Sequence, residues 1–160
     1  MDEIPDDVLE RRDAYCQQRA IEIVDLRGYG VDGYVWQTTN DNIVKVARSR
    51  NPFLAERAVY LRLSSHLLYR LQGFSIPCLI DSDESQFVLE LSYVSPPYIL
   101  DFAAATLDQP PQNFDPNDPA WVREKSGLFG ARWSDVQRLL DALRQYGVHY
   151  TDVTVNNIRV

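Results

Sequence analysis

Gly28-Tyr29-Gly30-Val31-Asp32-Gly33-Tyr34-Val35 spells G-x-G-x-x-G-x-V, and the residues on either side of it decide how the chain folds. Glycines at this spacing let backbone come close to phosphate oxygens, because no Cβ stands in the way. In a dinucleotide-binding unit a helix opens within the glycines. Here Tyr34-Val35-Trp36-Gln37-Thr38-Thr39 comes next, β-branched and aromatic, and it reads as a strand. Asn40-Asp41-Asn42 reads as a tight turn and Ile43-Val44-Lys45-Val46-Ala47 as a further strand. With a strand before the glycines at about residues 21–26, the layout is strand, glycine loop, strand, turn, strand.

Lys45 is one of two lysines in the chain, the other being Lys125. It interrupts an apolar strand and shares a face with Ile43 and Ala47. Read alone, it also fits an edge strand guarded against pairing. Asn51 and Pro52 form a helix-start signal, and the spacing predicts a helix from Phe53 to about Leu71. Val59, Tyr60, Leu63, Leu67 and Leu71 fall on one stripe of it, and Glu56 falls there too. A buried acid needs a partner. Lys45 is the obvious one, with solvation or pairing to Arg57 or Arg62 as the alternative.

Elsewhere, residues 6–18 read as a helix with Asp6 and Asp7 at its start. Ile76–Ile80 and Gln86–Leu91 read as strands, Ser92–Pro97 as a stiff connector, and Tyr98–Ala105 as a short helix. Residues 107–130, rich in Pro, Asp and Asn, read as an irregular insertion with one helical turn near Trp121. Ser134-Asp135-Val136-Gln137 is a capping box opening a final helix. Its apolar face is Val136, Leu139, Leu140, Leu143 and Tyr146, and Gly147 stops it.

The end of the chain, Tyr150-Thr151-Asp152-Val153-Thr154-Val155-Asn156-Asn157-Ile158, resembles the catalytic loop H-R-D-L-x-x-x-N-I of the eukaryotic-type protein kinases. It keeps the Asp and, five positions on, the Asn; Tyr150 stands for the histidine and Thr151 for the arginine. Glu56-Arg57-Ala58-Val59-Tyr60 is similar to the middle of the kinase C-helix. Glycine loop, lysine, helix glutamate, two strands, connector, capped helix and Asp/Asn loop occur in kinase order over residues 21–160.

The resemblance implies an α+β, protein kinase-like fold: an antiparallel N-lobe sheet with a C-helix, then a partial helical C-lobe. The expected organisation is a helical extension over residues 1–20, an N-lobe over 21–94 and a partial C-lobe over 95–160. It also implies roles. Gly28, Gly30 and Gly33 would cover the β- and γ-phosphates of ATP. Lys45, fixed by Glu56, would hold the α- and β-phosphates. Val35 and Ile43 would cover the adenine, and backbone at Tyr93 and Val94 would bond its edge. Asp152 would receive or orient the acceptor hydroxyl's proton, and Asn157 would ligate Mg²⁺.

Two departures bear on activity. Thr151 removes the cation that receives an activation-loop phosphate. The D-F-G aspartate belongs about a dozen residues beyond the asparagine, past Val160. The expectation is therefore a truncated or degenerate member, a fragment or a natural short relative. It is either a kinase whose metal site is completed elsewhere or an inactive pseudokinase-type binding or regulatory module. Val35 and Lys45 are ten positions apart, a compact hairpin that suits small-molecule kinases of the aminoglycoside or choline type as well as protein Ser/Thr kinases.

The resemblance implies a nucleotide as partner and, in the pseudokinase reading, a protein met by the insertion carrying Trp121 and Phe129. A net charge of −7, with no basic run, argues against nucleic acid, including a terminal helix-turn-helix. Cys16 and Cys78 belong to no metal or redox motif. No apolar run approaches membrane-spanning length and no signal-peptide pattern opens the chain, so the expected location is cytoplasmic. The sequence says nothing of oligomeric state.

Overall fold

The computed structural model describes residues 3–160. In chain order the elements are α1 (Asp6–Arg19), β1 (Ile23–Tyr29), β2 (Gly33–Thr38), β3 (Asn42–Ala47), α2 (Arg50–Ser65), β4 (Arg70–Leu71), β5 (Phe74–Ser75), β6 (Leu79–Asp83), β7 (Val88–Ser92), β8 (Tyr98–Ile99), β9 (Thr106–Leu107), α3 (Pro119–Phe129), α4 (Trp133–Gln145), β10 (Val148–His149) and β11 (Ile158–Arg159). The fold is α+β with an antiparallel N-terminal sheet, as the kinase-like reading requires. Two compact units share the chain. The first runs up to Ala58 and includes Cys78–Tyr93; the second takes Val59–Pro77 and Val94–Val160.

Helix α1 falls in the first unit and residues 59–77 in the second.

The first unit is a five-stranded sheet in the order β1-β2-β3-β7-β6, with every neighbouring pair antiparallel. Strict alternation along β3 gives the sheet two different faces. Val44 and Val46, with Tyr34 and Trp36 on β2 and Val88 on β7, bury against Val8, Tyr15 and Cys16 of α1. Glu90 is also buried on this face, where it accepts from the Tyr15 hydroxyl at 2.9 Å and from Asn42 Nδ2 at 2.9 Å. The opposite face of β3 carries Ile43 and Lys45. Because β3 lies between β2 and β7, Lys45 is not an edge guard.

In the second unit, a four-stranded sheet runs β11-β8-β5-β4 and a small pair joins β10 to β9. Helix α4 buries Val136, Leu139, Leu140 and Leu143, as its spacing predicts. Gly147 comes just after it with φ 77°, a left-handed backbone that glycine adopts without strain.

Several expected boundaries are corrected here. Helix α2 ends at Ser65, not near residue 71, so Leu67 and Leu71 leave the stripe, and Leu67 is exposed. The stop is a Schellman motif built without glycine: Leu67 has φ 55°, Leu68 N–H donates to Leu63 O at 2.9 Å and Leu67 N–H to Ser64 O at 2.9 Å. The next residues form the hairpin β4–β5, turning at Gln72 and Gly73, both with positive φ.

No helix spans residues 98–105. Tyr98 and Ile99 pair with Arg159 and Ile158, and Asp101 at φ 60° is incompatible with a right-handed turn. Conversely, the single turn expected near Trp121 is the eleven-residue α3. Asp118 accepts from Trp121 N–H at 3.4 Å and Pro119 sits in the first turn. The capping box at Ser134 is not formed, because α4 starts at Trp133 directly from a 3₁₀ turn over Gly130–Arg132, leaving Ser134 inside the helix.

Candidate functional site

In the first unit, the glycine stretch is the tip of the β1–β2 hairpin. Gly28 pairs with Val35 and Tyr29 with Tyr34, and Gly30 N–H donates to Gly33 O at 2.9 Å, leaving Val31 and Asp32 as the turn. Each glycine has a different reason to be there. A Cβ on Gly33 would lie 2.4 Å from Val46 O, so the packing of β2 on β3 demands glycine at that position. A Cβ on Gly28 or Gly30 would meet nothing within 4 Å. Neither of these two residues has a left-handed backbone. Neither a steric clash at Cβ nor a left-handed backbone accounts for glycine at 28 and 30. Arg48 braces the loop: its Nε donates to Gly30 O and its N–H to Asp32 O, both at 3.0 Å, with the guanidinium over the Tyr34 ring.

Lys45 lies deeper on the same sheet. Its register partners are Val35 on β2 and Leu89 on β7. Ile43 is two positions away, with Gln37 and Leu91 opposite it, so Val35, Ile43, Leu89 and Leu91 all share the lysine's face. The ammonium of Lys45 stands 2.7 Å from Glu56 Oε2, and the two side chains are only 8% and 1% exposed. The alternatives for Glu56 are excluded by where the arginines go. Arg57 reaches Glu84 at 3.2 Å, and Arg62 makes a two-pronged contact with Asp108 at 2.8 and 3.0 Å. Arg50 joins Glu84 at 2.5 Å, and the two guanidiniums hold the Glu84 carboxyl below the usual carboxylate range. These contacts tie the front of α2 to the β6–β7 turn.

The second unit presents the Asp/Asn loop. Asn157 Nδ2 donates to Asp152 Oδ2 at 2.8 Å and to Asp152 O at 3.2 Å, so the two residues meet. The loop is held at both ends by Leu100, whose carbonyl accepts from the Tyr150 hydroxyl at 2.7 Å and whose N–H donates to Asn157 O at 2.9 Å. Tyr150, at the histidine position, also meets Phe102 edge-on, and Phe102 meets Tyr60 in the same way. Val153 and Ile158 are buried beneath the loop.

The structure therefore brings together Lys45 with Glu56, Val35 and Ile43, and separately Asp152 with Asn157. Tyr93 ends the first unit and Val94 opens the second stretch of the other. Trp121 and Phe129 both pack on Trp133 within the second unit, and Trp121 is half-buried. Sequence reasoning missed Arg48, Leu89 and Leu91, because an arginine after a strand and leucines inside one carry no signal of their own. Among the described residues, no group of three or more His, Cys, Asp or Glu side chains is placed to hold a metal ion. Nor is any helix there long and apolar enough to cross a membrane.

No protein-family model matches the chain, and no curated protein matches it. Among solved structures it is similar to the aminoglycoside phosphotransferase APH(2'')-IIa in its streptomycin–ATP ternary complex, at 18% identity and a TM-score of 0.41. That alignment covers 59% of this chain and 30% of the other. It is also similar to ADP-bound APH(2'')-Ib, at 17% identity and a TM-score of 0.44, covering 56% of this chain and 29% of that one. The matched part of the chain thus spans less than a third of the length of these proteins.

Proposed function

We propose that the chain is the nucleotide-holding portion of a kinase-like phosphotransferase, one that moves the γ-phosphoryl group of ATP to a hydroxyl. The observation that carries this reading is the buried Lys45–Glu56 pair at 2.7 Å, set on one sheet face with Val35 and Ile43. The hairpin of that sheet carries Gly28 and Gly30, two glycines that the fold itself does not need. Phosphoryl transfer depends on positioning and charge neutralisation rather than on covalent help from the protein.

In this reading Glu56 aims the Lys45 ammonium at the α- and β-phosphates. Gly28 and Gly30 let the hairpin close over the phosphates. The Gly30 N–H already serves Gly33 O, so close approach is what that residue contributes. Gly33 keeps the hairpin seated on β3. Val35 and Ile43, with Leu89 and Leu91, present an apolar surface to the adenine, and backbone at Tyr93 and Val94 bonds its edge. Asp152 orients the acceptor hydroxyl and takes its proton, and the Asn157 amide fixes the Asp152 carboxylate.

Mg²⁺ binds through one or two protein oxygens together with phosphates and water. The adjoining Asp152 carboxylate and Asn157 carboxamide are donors of that type, and Asn157 would hold the ion. When bound, the ion draws charge off the transferring group.

Calorimetric titration of the folded protein with ATP, with and without Mg²⁺, tests the reading. Binding that strengthens with Mg²⁺ supports it. Absence of binding at millimolar ATP refutes it, and metal-indifferent binding without turnover assigns the chain to the pseudokinase-type binding or regulatory modules.

A further inference from the structure

Helix α1 has no part in the roles assigned so far, yet one of its side chains reaches the end of β3, where the chain passes from the strand of Lys45 to the helix of Glu56. Arg11 Nη1 donates to Ala47 O at 2.8 Å and to Gln86 O at 3.1 Å. It thereby joins the last residue of β3 to the residues leading into β7. Its Nη2 pairs with Asp7 at 3.0 Å, which anchors the guanidinium to its own helix. The cation lies 5.1 Å from the centre of the Phe87 ring, and Phe87 leans on Phe53, the fourth residue of α2, with centroids 6.0 Å apart. Arg57 lies over the Phe53 ring at 4.9 Å and pairs with Glu84.

Ala47 is two residues after Lys45, and Phe53 is three residues before Glu56. The Arg11 side chain is only 14% exposed. It touches the strand that carries the lysine and, through Phe87, the helix that carries the glutamate. An arginine that served only to attach α1 would need a single acceptor on the sheet. This one bridges two carbonyls on neighbouring chain segments at the point where β3 gives way to α2.

We propose that Arg11 is a positioning residue: through Ala47, Gln86 and Phe87 it holds α2 in the orientation that keeps Glu56 against Lys45. The functional weight of that clamp rests on the phosphotransferase reading above, but the clamp itself does not. Its presence or absence is measurable on the ion pair with no nucleotide present.

Because the chain has only two lysines, selective ¹⁵N-lysine labelling gives two side-chain ammonium signals, and Lys125→Arg assigns them. The readout is proton exchange of the Lys45 ammonium with water, with Lys125 as internal reference. Arg11→Met is expected to speed Lys45 exchange about tenfold or more, since two charge-assisted hydrogen bonds to the junction are lost and local opening becomes easier. Arg19→Met is the control. Arg19 anchors the far end of α1 to Asp81 at 2.7 Å and lies over Tyr15, away from the junction. It is expected to lower the melting temperature while leaving Lys45 exchange unchanged.

Should Arg11→Met not fold, Arg11→Lys decides. Its ammonium can serve one carbonyl but not both, and exchange rises about threefold. The proposal is overturned if Lys45 exchange stays at the wild-type rate in the folded Arg11 variant. It is equally overturned if Arg19→Met accelerates exchange to the same degree, because α1 would then act only as general support.

Discussion

Replacing Lys45 by Met is the obvious test of a phosphate-binding lysine, and the structure shows why that substitution alone gives an ambiguous result. It leaves the Glu56 carboxylate 1% exposed without the Lys45 ammonium at 2.7 Å. Breaking a buried ion pair by removing one partner costs about 3–5 kcal/mol, against a total stability of about 5–15 kcal/mol for a typical domain. A loss of nucleotide affinity in Lys45→Met would mix lost contacts with lost fold. The pair Lys45→Met/Glu56→Met behaves differently, because exchanging a buried ion pair for apolar groups of similar size is neutral or stabilising by about 1–4 kcal/mol.

The expected pattern in urea denaturation, followed by tryptophan fluorescence, is therefore a large loss for each single variant and recovery in the double variant. The coupling energy should be about 2 kcal/mol or more. Trp36 reports on the first unit, being buried on its sheet. ATP titration of the recovered double variant then isolates function: the fold is present and affinity is lost. Two results would refute the reasoning. Additive losses with single-variant costs under about 1 kcal/mol would mean that the two side chains do not form a coupled buried pair. Wild-type ATP affinity in the folded double variant would remove Lys45 from the phosphate site.

Single contacts carry further expectations. Gly33→Ala should destabilise by about 1–3 kcal/mol, because its Cβ would stand 2.4 Å from Val46 O and β2 must move off β3. Gly30→Ala, with open space around its Cβ, should leave the urea midpoint unchanged or slightly raised while weakening ATP binding. Tyr15 is pushed well above its ordinary value of 10.0, first by burial and then by its hydrogen bond to Glu90. A raised folded-state value means the unfolded chain releases its proton first. The stability linked to Tyr15 is thus intact below pH 10.0 and falls as the pH rises beyond it, which denaturation midpoints from pH 8 to 11 would record; Tyr15→Phe should flatten that slope. Burial likewise pushes the Cys16 thiol up, so iodoacetamide should modify Cys78 in the native protein and reach Cys16 only on unfolding.

The features legible in the sequence are those that local chemistry determines. The hairpin order around the glycines, the interrupted apolar strand at Lys45 and the acid on the stripe at Glu56 each break a local pattern, and the break itself is the signal. The end of α2 left no such mark: Leu67 takes a left-handed backbone that sequence rules reserve for glycine or asparagine, because the β4–β5 hairpin just beyond it sets the direction of the chain. The helix expected over residues 98–105 fails for a comparable reason. Tyr98 and Ile99 are claimed by Arg159 and Ile158, distant partners that no local window contains.

The glycine triplet gives the sharper lesson. Its spacing marks all three positions alike, yet Gly33 is fixed by a carbonyl of the neighbouring strand, while a Cβ on Gly28 or Gly30 would meet nothing within 4 Å. A motif read as one functional unit is here one residue fixed by packing and two that packing does not constrain. That difference is what makes Gly28 and Gly30, rather than the motif as a whole, the informative positions: a substitution there that changes ligand binding without changing stability can only be reporting on the ligand.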